Sequence, residues 1–322
     1  MSLAPWLQET WRSLAERLAN GRLPQALLLS GAAGLGKRGL AAALAAAALC
    51  ENRRADGFAC ARCRACLLLA AGTHPDRMQL SFEMRDDGKT PRTEIVIEQI
   101  RKLTEQLSLS SQFGGMQVVI IDPADRMNPS AANALLKTLE EPSGSTLMLL
   151  VCDQPSRLPA TIRSRCQRIE IQPPAHEQAL AWLREQGISS SDAELALLAM
   201  LGNPGRALEA LGDGSLKLRG ECSRDLLALR SRHGTALGIA EAWAADRPAE
   251  RLWHAAVLVR DDMVQLLRGQ NSTLGLTGTH EIPKLAGWFA AANRSRELLA
   301  TQVRGELVVL DLLHTWQTPR SS

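Results

Sequence analysis

The run Gln25-Ala26-Leu27-Leu28-Leu29-Ser30 leads directly into Gly31-Ala32-Ala33-Gly34-Leu35-Gly36-Lys37-Arg38, and a stretch with helical spacing follows to Leu49. An apolar strand, a glycine-rich loop ending in Lys, and a helix, in that order, form the phosphate-loop arrangement. The pattern is restrictive because backbone N–H groups wrap a phosphate only where glycines let the chain fold back on itself. The loop Lys must also stand at the helix start to reach the outer phosphates. Gly31, Gly34, Gly36 and Lys37 meet these demands. The next position calls for a Ser or Thr hydroxyl on Mg²⁺, and Arg38 stands there instead. A guanidinium cannot ligate a cation.

A second apolar run, Gln117–Asp122, ends at an acidic residue, as the metal-side strand of such ATPases does. Asp122 can face a metal through water, but Pro123 fills the place where a carboxylate would polarise the attacking water. Proline has no side chain that can take a proton. Two parts of a hydrolytic site are therefore missing. The expectation is a silent ATPase site, with weak nucleotide binding left open beside a loop that keeps only its shape.

Strand-like runs at Gln25–Ser30, Met78–Phe82, Gln117–Asp122, Thr146–Cys152 and Gln167–Ile171 alternate with helical patterns at Gly36–Leu49, Glu98–Leu107 and Ser130–Glu140. Such alternation implies a parallel sheet covered on both faces. Pro173-Pro174 punctuates the chain, and no convincing strand follows it. Short helical patterns at Glu177–Gln186 and Asp192–Leu201 precede Gly202-Asn203-Pro204-Gly205 and a helical start at Arg206. Longer ones follow at Leu216–Arg232, Thr235–Ala245, Ala249–Arg268, Ile282–Leu298 and Gln302–Trp316. The plan is an α/β domain over residues 1–171, a small helical domain over 172–213 and an all-helical domain over 214–322.

Cys50, Cys60, Cys63 and Cys66 form two consecutive C-x₂-C units with a fourth Cys upstream. Four thiolates in so short a segment (50–66) suit a closed, tetrahedral structural zinc site. Free cysteines and an iron–sulfur cluster are the other readings. Arg53, Arg54, Arg62 and Arg64 could offset the site's charge or donate to its sulfurs.

Lys plus Arg total 37 against 34 Asp plus Glu, a net charge of +3, too small for a general polyanion binder. Aromatic residues are 3% of the chain, with no Tyr, which argues against stacking platforms for single-stranded nucleic acid. Seven cysteines, an odd number, suit a reducing compartment. The N-terminal stretch, with Trp6, Leu7, Trp11, Leu14 and Leu18, reads as an amphipathic helix rather than a leader. The expectation is a cytoplasmic protein without a membrane span.

These features, with Asn133–Pro142 (NALLKTLEEP), Leu158–Cys166 (LPATIRSRC) and Gly202–Leu208 (GNPGRAL), resemble bacterial DNA polymerase III clamp-loader subunits of the AAA+ family. The resemblance covers essentially the whole chain and is best to the delta-prime branch. The gamma/tau branch, an active ATPase, is the alternative, and Arg38 and Pro123 count against it. A stand-alone zinc-dependent DNA-binding protein is a third, disfavoured by the near-neutral charge. Gamma/tau chains also carry a Thr phosphate sensor where Cys152-Asp153 stand here, and tau extends well past the position of Ser322.

The resemblance implies an AAA+ domain, a lid and a C-terminal collar. It further implies a stator in a ring with gamma/tau and delta subunits that loads the sliding clamp (beta) onto primed DNA. Arg165 is then an arginine finger for a neighbouring ATP site, with Ser164 and Cys166 positioning its turn. Arg206 is a second sensor residue or simply a solvated helix residue. Trp243, Trp253, Trp288 and Trp316 become collar core or interface, and His254 and His314 packing residues.

Overall fold

The computed structural model describes residues 3–84, 92–113, 115–141, 145–276, 278–299, 301 and 303–317. Three positions used above, Pro142, Gln302 and Ser322, lie outside the described residues. The chain packs as two compact units, one of residues 1–190 with 202–206, the other of 191–201 with 207–322.

In the first unit, a 3-10 turn at Pro5–Leu7 leads into α1 (Gln8–Ala19), followed by β1 (Ala26–Ser30), α2 (Lys37–Leu49), α3 (Arg64–Ala70) and β2 (Arg77–Leu80). Then come α4 (Ile97–Leu107), β3 (Gln117–Ile121), α5 (Pro129–Glu140), β4 (Thr146–Cys152), α6 (Ala160–Arg163), β5 (Gln167–Glu170) and α7 (His176–Glu185). The strands form one parallel sheet in the order β2-β3-β4-β1-β5, the α/β class expected. β1, β3 and β4 are buried along their whole length.

The alternation of side chains along these strands feeds two separate cores. Leu27, Leu29, Val118, Ile120, Leu147, Leu149 and Val151 pack on one face with Trp11, Leu14, Leu40 and Leu44 from α1 and α2. Leu28, Val119, Ile121, Met148 and Leu150 pack on the other with Ile100, Leu103, Leu135 and Ile162 from α4, α5 and α6. Because β1 pairs with both β4 and β5, its carboxyl end at Ser30 lies beside Cys152 and Glu170. The carboxyl ends of β3 and β4 therefore stand next to the glycine loop, where ligands of open α/β sheets bind.

Boundaries expected from the sequence hold at β4 and at the Ile282–Leu298 helix and shift by one to three residues elsewhere, as at β2. The sequence gives no sign of the short helix α3, since Cys66 and three consecutive leucines show no helical period. The second unit contains most of α8 (Ser190–Ala199) and α9 (Pro204–Gly212). It also holds α10 (Ser215–Arg230), α11 (Ala236–Ala245), α12 (Pro248–Leu267), α13 (Ile282–Leu298) and α14 (Gly305–Gln317). Its core gathers Cys222, Leu226, Trp243, Val259, Trp288, Leu313 and Trp316. The indoles of Trp243, Trp288 and Trp316 donate to Asp225 Oδ2, the Leu312 carbonyl and the Leu226 carbonyl, so these tryptophans are core with satisfied polar ends. Among the described residues no helix is long and apolar enough to cross a membrane.

Buried Asp262 on α12 organises the turn after that helix. It accepts from Thr273 N and Leu274 N (3.0 Å each), from Thr273 Oγ1 (2.6 Å) and from Ser272 Oγ. Asp262→Ala strands these donors and should lower stability by about 3 kcal/mol or more, the scale of losing a buried charged acceptor. Chemical denaturation should show the drop, with Asp262→Asn falling between the two.

Candidate functional site

The glycine loop joins β1 to α2 with Gly31, Gly34 and Gly36 at φ of +144°, +86° and +85°. At Gly31 a Cβ would stand 2.3 Å from the Ile171 carbonyl oxygen, so the position admits no side chain. The loop shape is that of a phosphate cradle, but its Lys and several of its carbonyls are already engaged by the protein.

Lys37 is 2% exposed. Its Nζ donates to the Gly31 carbonyl (2.7 Å) and the Ala32 carbonyl (2.6 Å), and ion-pairs with Asp153 Oδ1 at 2.6 Å. Two of the three ammonium donors are met by these carbonyls, and the charge is opposed by Asp153. The neighbouring Arg38 donates from Nε to Asp122 Oδ2 (2.8 Å) and from Nη2 to Asp153 Oδ2 (3.3 Å). Two cations and two carboxylates thus close on one another at the carboxyl ends of β1, β3 and β4. Asp125 Oδ1 fixes the backbone of Asp153 by accepting its N–H at 3.1 Å.

The two carboxylates respond differently to this setting. Burial would raise Asp153, but Lys37 and Arg38 outweigh it and hold the carboxyl below its usual value. Burial raises Asp122, and Arg38 compensates only in part. Asp153 faces both Lys37 and Arg38 at close range, whereas Asp122 is bonded to Arg38 alone and has the Asp153 carboxylate beside it, which accounts for the difference.

The outer side of the loop is covered as well. Trp6 Nε1 donates to the Leu35 carbonyl at 3.0 Å, and a Cβ on Gly36 would meet Leu7 Cδ1 at 2.8 Å. Asn203 Nδ2 donates to the Ala33 carbonyl at 2.7 Å and its Oδ1 accepts from Arg206 N at 3.1 Å. A Cβ on Gly34 would lie 2.8 Å from Asn203 Oδ1, and one on Gly205 only 1.9 Å from the Gly34 carbonyl oxygen. The Gly202–Arg206 segment therefore sits against the loop tip, and Arg206 lies there through its backbone N–H. Neither Asp153 nor Asn203 was foreseen as a site residue. In the sequence, Asp153 is marked only as the residue one step past β4, and Asn203 only as a member of the Gly202–Leu208 motif.

The four cysteines converge. The sulfurs of Cys50, Cys60, Cys63 and Cys66 all lie within 4.8 Å of one another, with Cys50–Cys63 and Cys60–Cys66 at 3.9 Å. Four thiolates at bond lengths of about 2.3 Å around a tetrahedral ion stand about 3.8 Å apart, so the spacing fits a single metal ion. Backbone N–H groups of Cys60, Cys63 and Cys66 donate to Cys50, Cys60 and Cys63 Sγ at 3.3, 3.3 and 3.4 Å. Those of Arg62 and Cys63 bring the Cys60 thiol down to about 6, while burial pushes Cys66 up to about 12. The backbone thus supplies donors expected from arginines. Arg53 donates to the Ala47 carbonyl, Arg54 pairs with Asp56, and Arg64 lies over the Phe113 ring.

Ser164, Arg165 and Cys166 form the turn between α6 and β5. Cys166 is buried in the sheet core beside Leu158 and Ile162, and burial lifts its thiol to about 11. Ser164 Oγ donates to the Thr161 carbonyl at 3.1 Å. Arg165 remains 35% exposed and pairs with Glu140 at the end of α5, a partner no sequence rule pointed to.

Arg38→Thr restores the metal-ligating residue type but leaves Lys37 on Asp153 and the loop tip covered. Titration with MgATP should detect no nucleotide binding. At pH 7 the variant should unfold at lower denaturant than the parent, because Asp122 and Asp153 lose a cation. Asp153, depressed in the fold, contributes stability that falls away as pH drops through its folded value. Asp122, raised, stabilises increasingly as it protonates. Losing Arg38 raises both groups, so the difference between variant and parent should shrink below about pH 4, as both protonate.

The family described as "DNA polymerase III, delta subunit" matches residues 6–175. Similar proteins include the DNA polymerase III subunit delta' of Pseudomonas aeruginosa, 41% identical over 74% of this chain and 70% of that one. That of Escherichia coli is 36% identical over 96% of this chain and 93% of its own length. Among solved structures, a DNA polymerase III gamma subunit-related protein of Thermotoga maritima aligns over 96% of this chain and 98% of its own, at 18% identity and a TM-score of 0.45. At that identity and coverage in the curated relatives, the chain belongs to the DNA polymerase III subunit delta' family of clamp-loader proteins.

Proposed function

We propose that this chain is the stator of a clamp-loader ring, turning over no ATP itself and completing the ATP site of a neighbouring gamma/tau subunit with Arg165. The observation that carries the reading is the closed charge network at the glycine loop. A nucleotide triphosphate needs Lys37 and a metal, whereas Lys37 is held by Asp153 and two carbonyls, and Arg38 occupies the space between Asp122 and Asp153. Opening the network exposes unpaired buried charge, which is strongly unfavourable. The family relatives are subunits of a polymerase assembly by name, which supports a role in a complex rather than alone.

Within that role the residues divide the work. Arg165 offers a permanently charged planar group able to span two phosphate oxygens as charge develops in the transition state. Ser164 and Cys166 hold its turn, one by capping α6 and the other by core burial. We assign residues 1–171 to the AAA+ domain, 172–213 to the lid and 214–322 to the collar that joins the ring. Partners are gamma/tau and delta subunits, with the sliding clamp and primed DNA reached through the complex, in the cytoplasm. Cys50, Cys60, Cys63 and Cys66 hold structural zinc, a closed four-sulfur site that pins the segment between α2 and α3.

Two measurements test this. Metal analysis of untagged protein should find about one zinc per chain. Cys63→Ser should release it and open residues 50–66 to proteolysis; unchanged metal content in the variant would refute the ligand set. For the trans-acting role, a ring reconstituted with Arg165→Ala should assemble normally. Its clamp- and DNA-stimulated ATPase should fall steeply, given roughly 10³–10⁵ in rate for in-trans fingers in GTPases, reduced where several sites contribute. Parental ATPase and clamp loading at equal assembly would refute it.

A further inference from the structure

The guanidinium of Arg165 is held from two sides by its own chain. Glu140 Oε1 accepts from Nε at 2.8 Å and from Nη2 at 2.5 Å, so one oxygen sits between two N–H groups on the same edge of the fork. The Thr161 carbonyl accepts from Nη1 at 2.9 Å. The oxygens come from different elements, since Glu140 is the last residue of α5 and Thr161 lies in α6, which packs against it. Leu139, next to Glu140, is buried in the same core as Ile162 and Cys166, so the carboxylate and the arginine turn rest on one foundation.

From this we infer that Glu140 is a positioning residue for the arginine finger: it sets the orientation of Arg165 before a neighbouring nucleotide arrives. The inference rests on the trans-acting role proposed above. A guanidinium has five N–H donors; Glu140 and Thr161 engage three of them, and Ser164 Oγ stands 3.5 Å from Nη1 as a longer fourth contact. That leaves the outer N–H of Nη2, with Nη1 only weakly engaged by Ser164, to meet the oxygens of a phosphate. A free Arg side chain loses rotamer entropy when fixed. A splint present in the isolated subunit removes most of that cost from the catalytic encounter, which is how preorganised donors outperform mobile ones. Glu140 is itself 49% exposed and at a helix end, so changing it leaves the core intact.

The test is a ring reconstituted with Glu140→Gln, Arg165→Ala or both, at equal assembly, measuring kcat and KM for ATP in the presence of clamp and primed DNA. Glu140→Gln keeps the shape and removes the charge. It should lower kcat about fivefold or more, with KM for ATP changed less than about twofold, as expected for a misoriented transition-state group. Arg165→Ala should lower kcat further, and the double variant should match Arg165→Ala alone, since Glu140 acts only through Arg165. A Glu140→Gln ring with parental kcat overturns the inference, as does a faster one, which would make Glu140 a restraint. An additional loss in the Arg165→Ala background also overturns it, placing Glu140 elsewhere in the machinery. Each of these leaves the finger itself standing. Parental ATPase in the Arg165→Ala ring overturns both readings together.

Discussion

The contact on which the rest of this site depends is the ion pair between Lys37 and Asp153. A buried ammonium is tolerable only when its donors are met and its charge is opposed. In a nucleotide-binding protein, phosphates and metal supply that opposition. Here the residue one step past β4 supplies it from within, and Arg38 extends the same arrangement to Asp122. The loop keeps its backbone shape because Gly31 and Gly34 are pressed against other backbone and allow nothing else. The site is a phosphate cradle whose charges have been balanced by side chains.

That balance neutralises the buried charge at this end of the sheet. Trp6 and Leu7 on one side and Asn203 to Arg206 on the other lock the loop into the unit to which all of them belong. β5 runs beside β1, and the turn preceding β5 carries Arg165. The same sheet therefore anchors both the glycine loop and an exposed side chain held by Glu140 and the Thr161 carbonyl.

The tetrathiolate cluster solves a separate problem. The segment between α2 and α3 contains few large apolar residues, and little of it can be held by burial. Its knuckle turns through Ala61 at φ +61°, an uncommon backbone state for a residue with a Cβ. Sulfur-directed backbone N–H groups fix such a turn where hydrophobic contacts cannot, and a metal bound by the four sulfurs would hold it further. Trp11 adds a stacked contact with Phe58 at 4.1 Å between ring centroids and donates to the Asp56 carbonyl, tying the segment to α1.

The sequence by itself determined the parallel α/β class, the position of the phosphate loop, the four-cysteine module and the run of C-terminal helices. Each is written in residues close together in the chain, as periodicity, glycine spacing or paired cysteines. It also placed Arg38 and Pro123 where a metal-ligating hydroxyl and a water-polarising carboxylate are expected. Only the tertiary structure decided what those residues do instead. Asp153, Asn203 and Glu140 lie far along the chain from Lys37, Ala33 and Arg165, and no local pattern links them. They meet because parallel strand order places the ends of β3 and β4 beside β1, because the Gly202–Arg206 segment folds against the loop, and because α5 packs on α6. A charged side chain declares its type in the sequence, but its partner is chosen by the geometry that removes both from water.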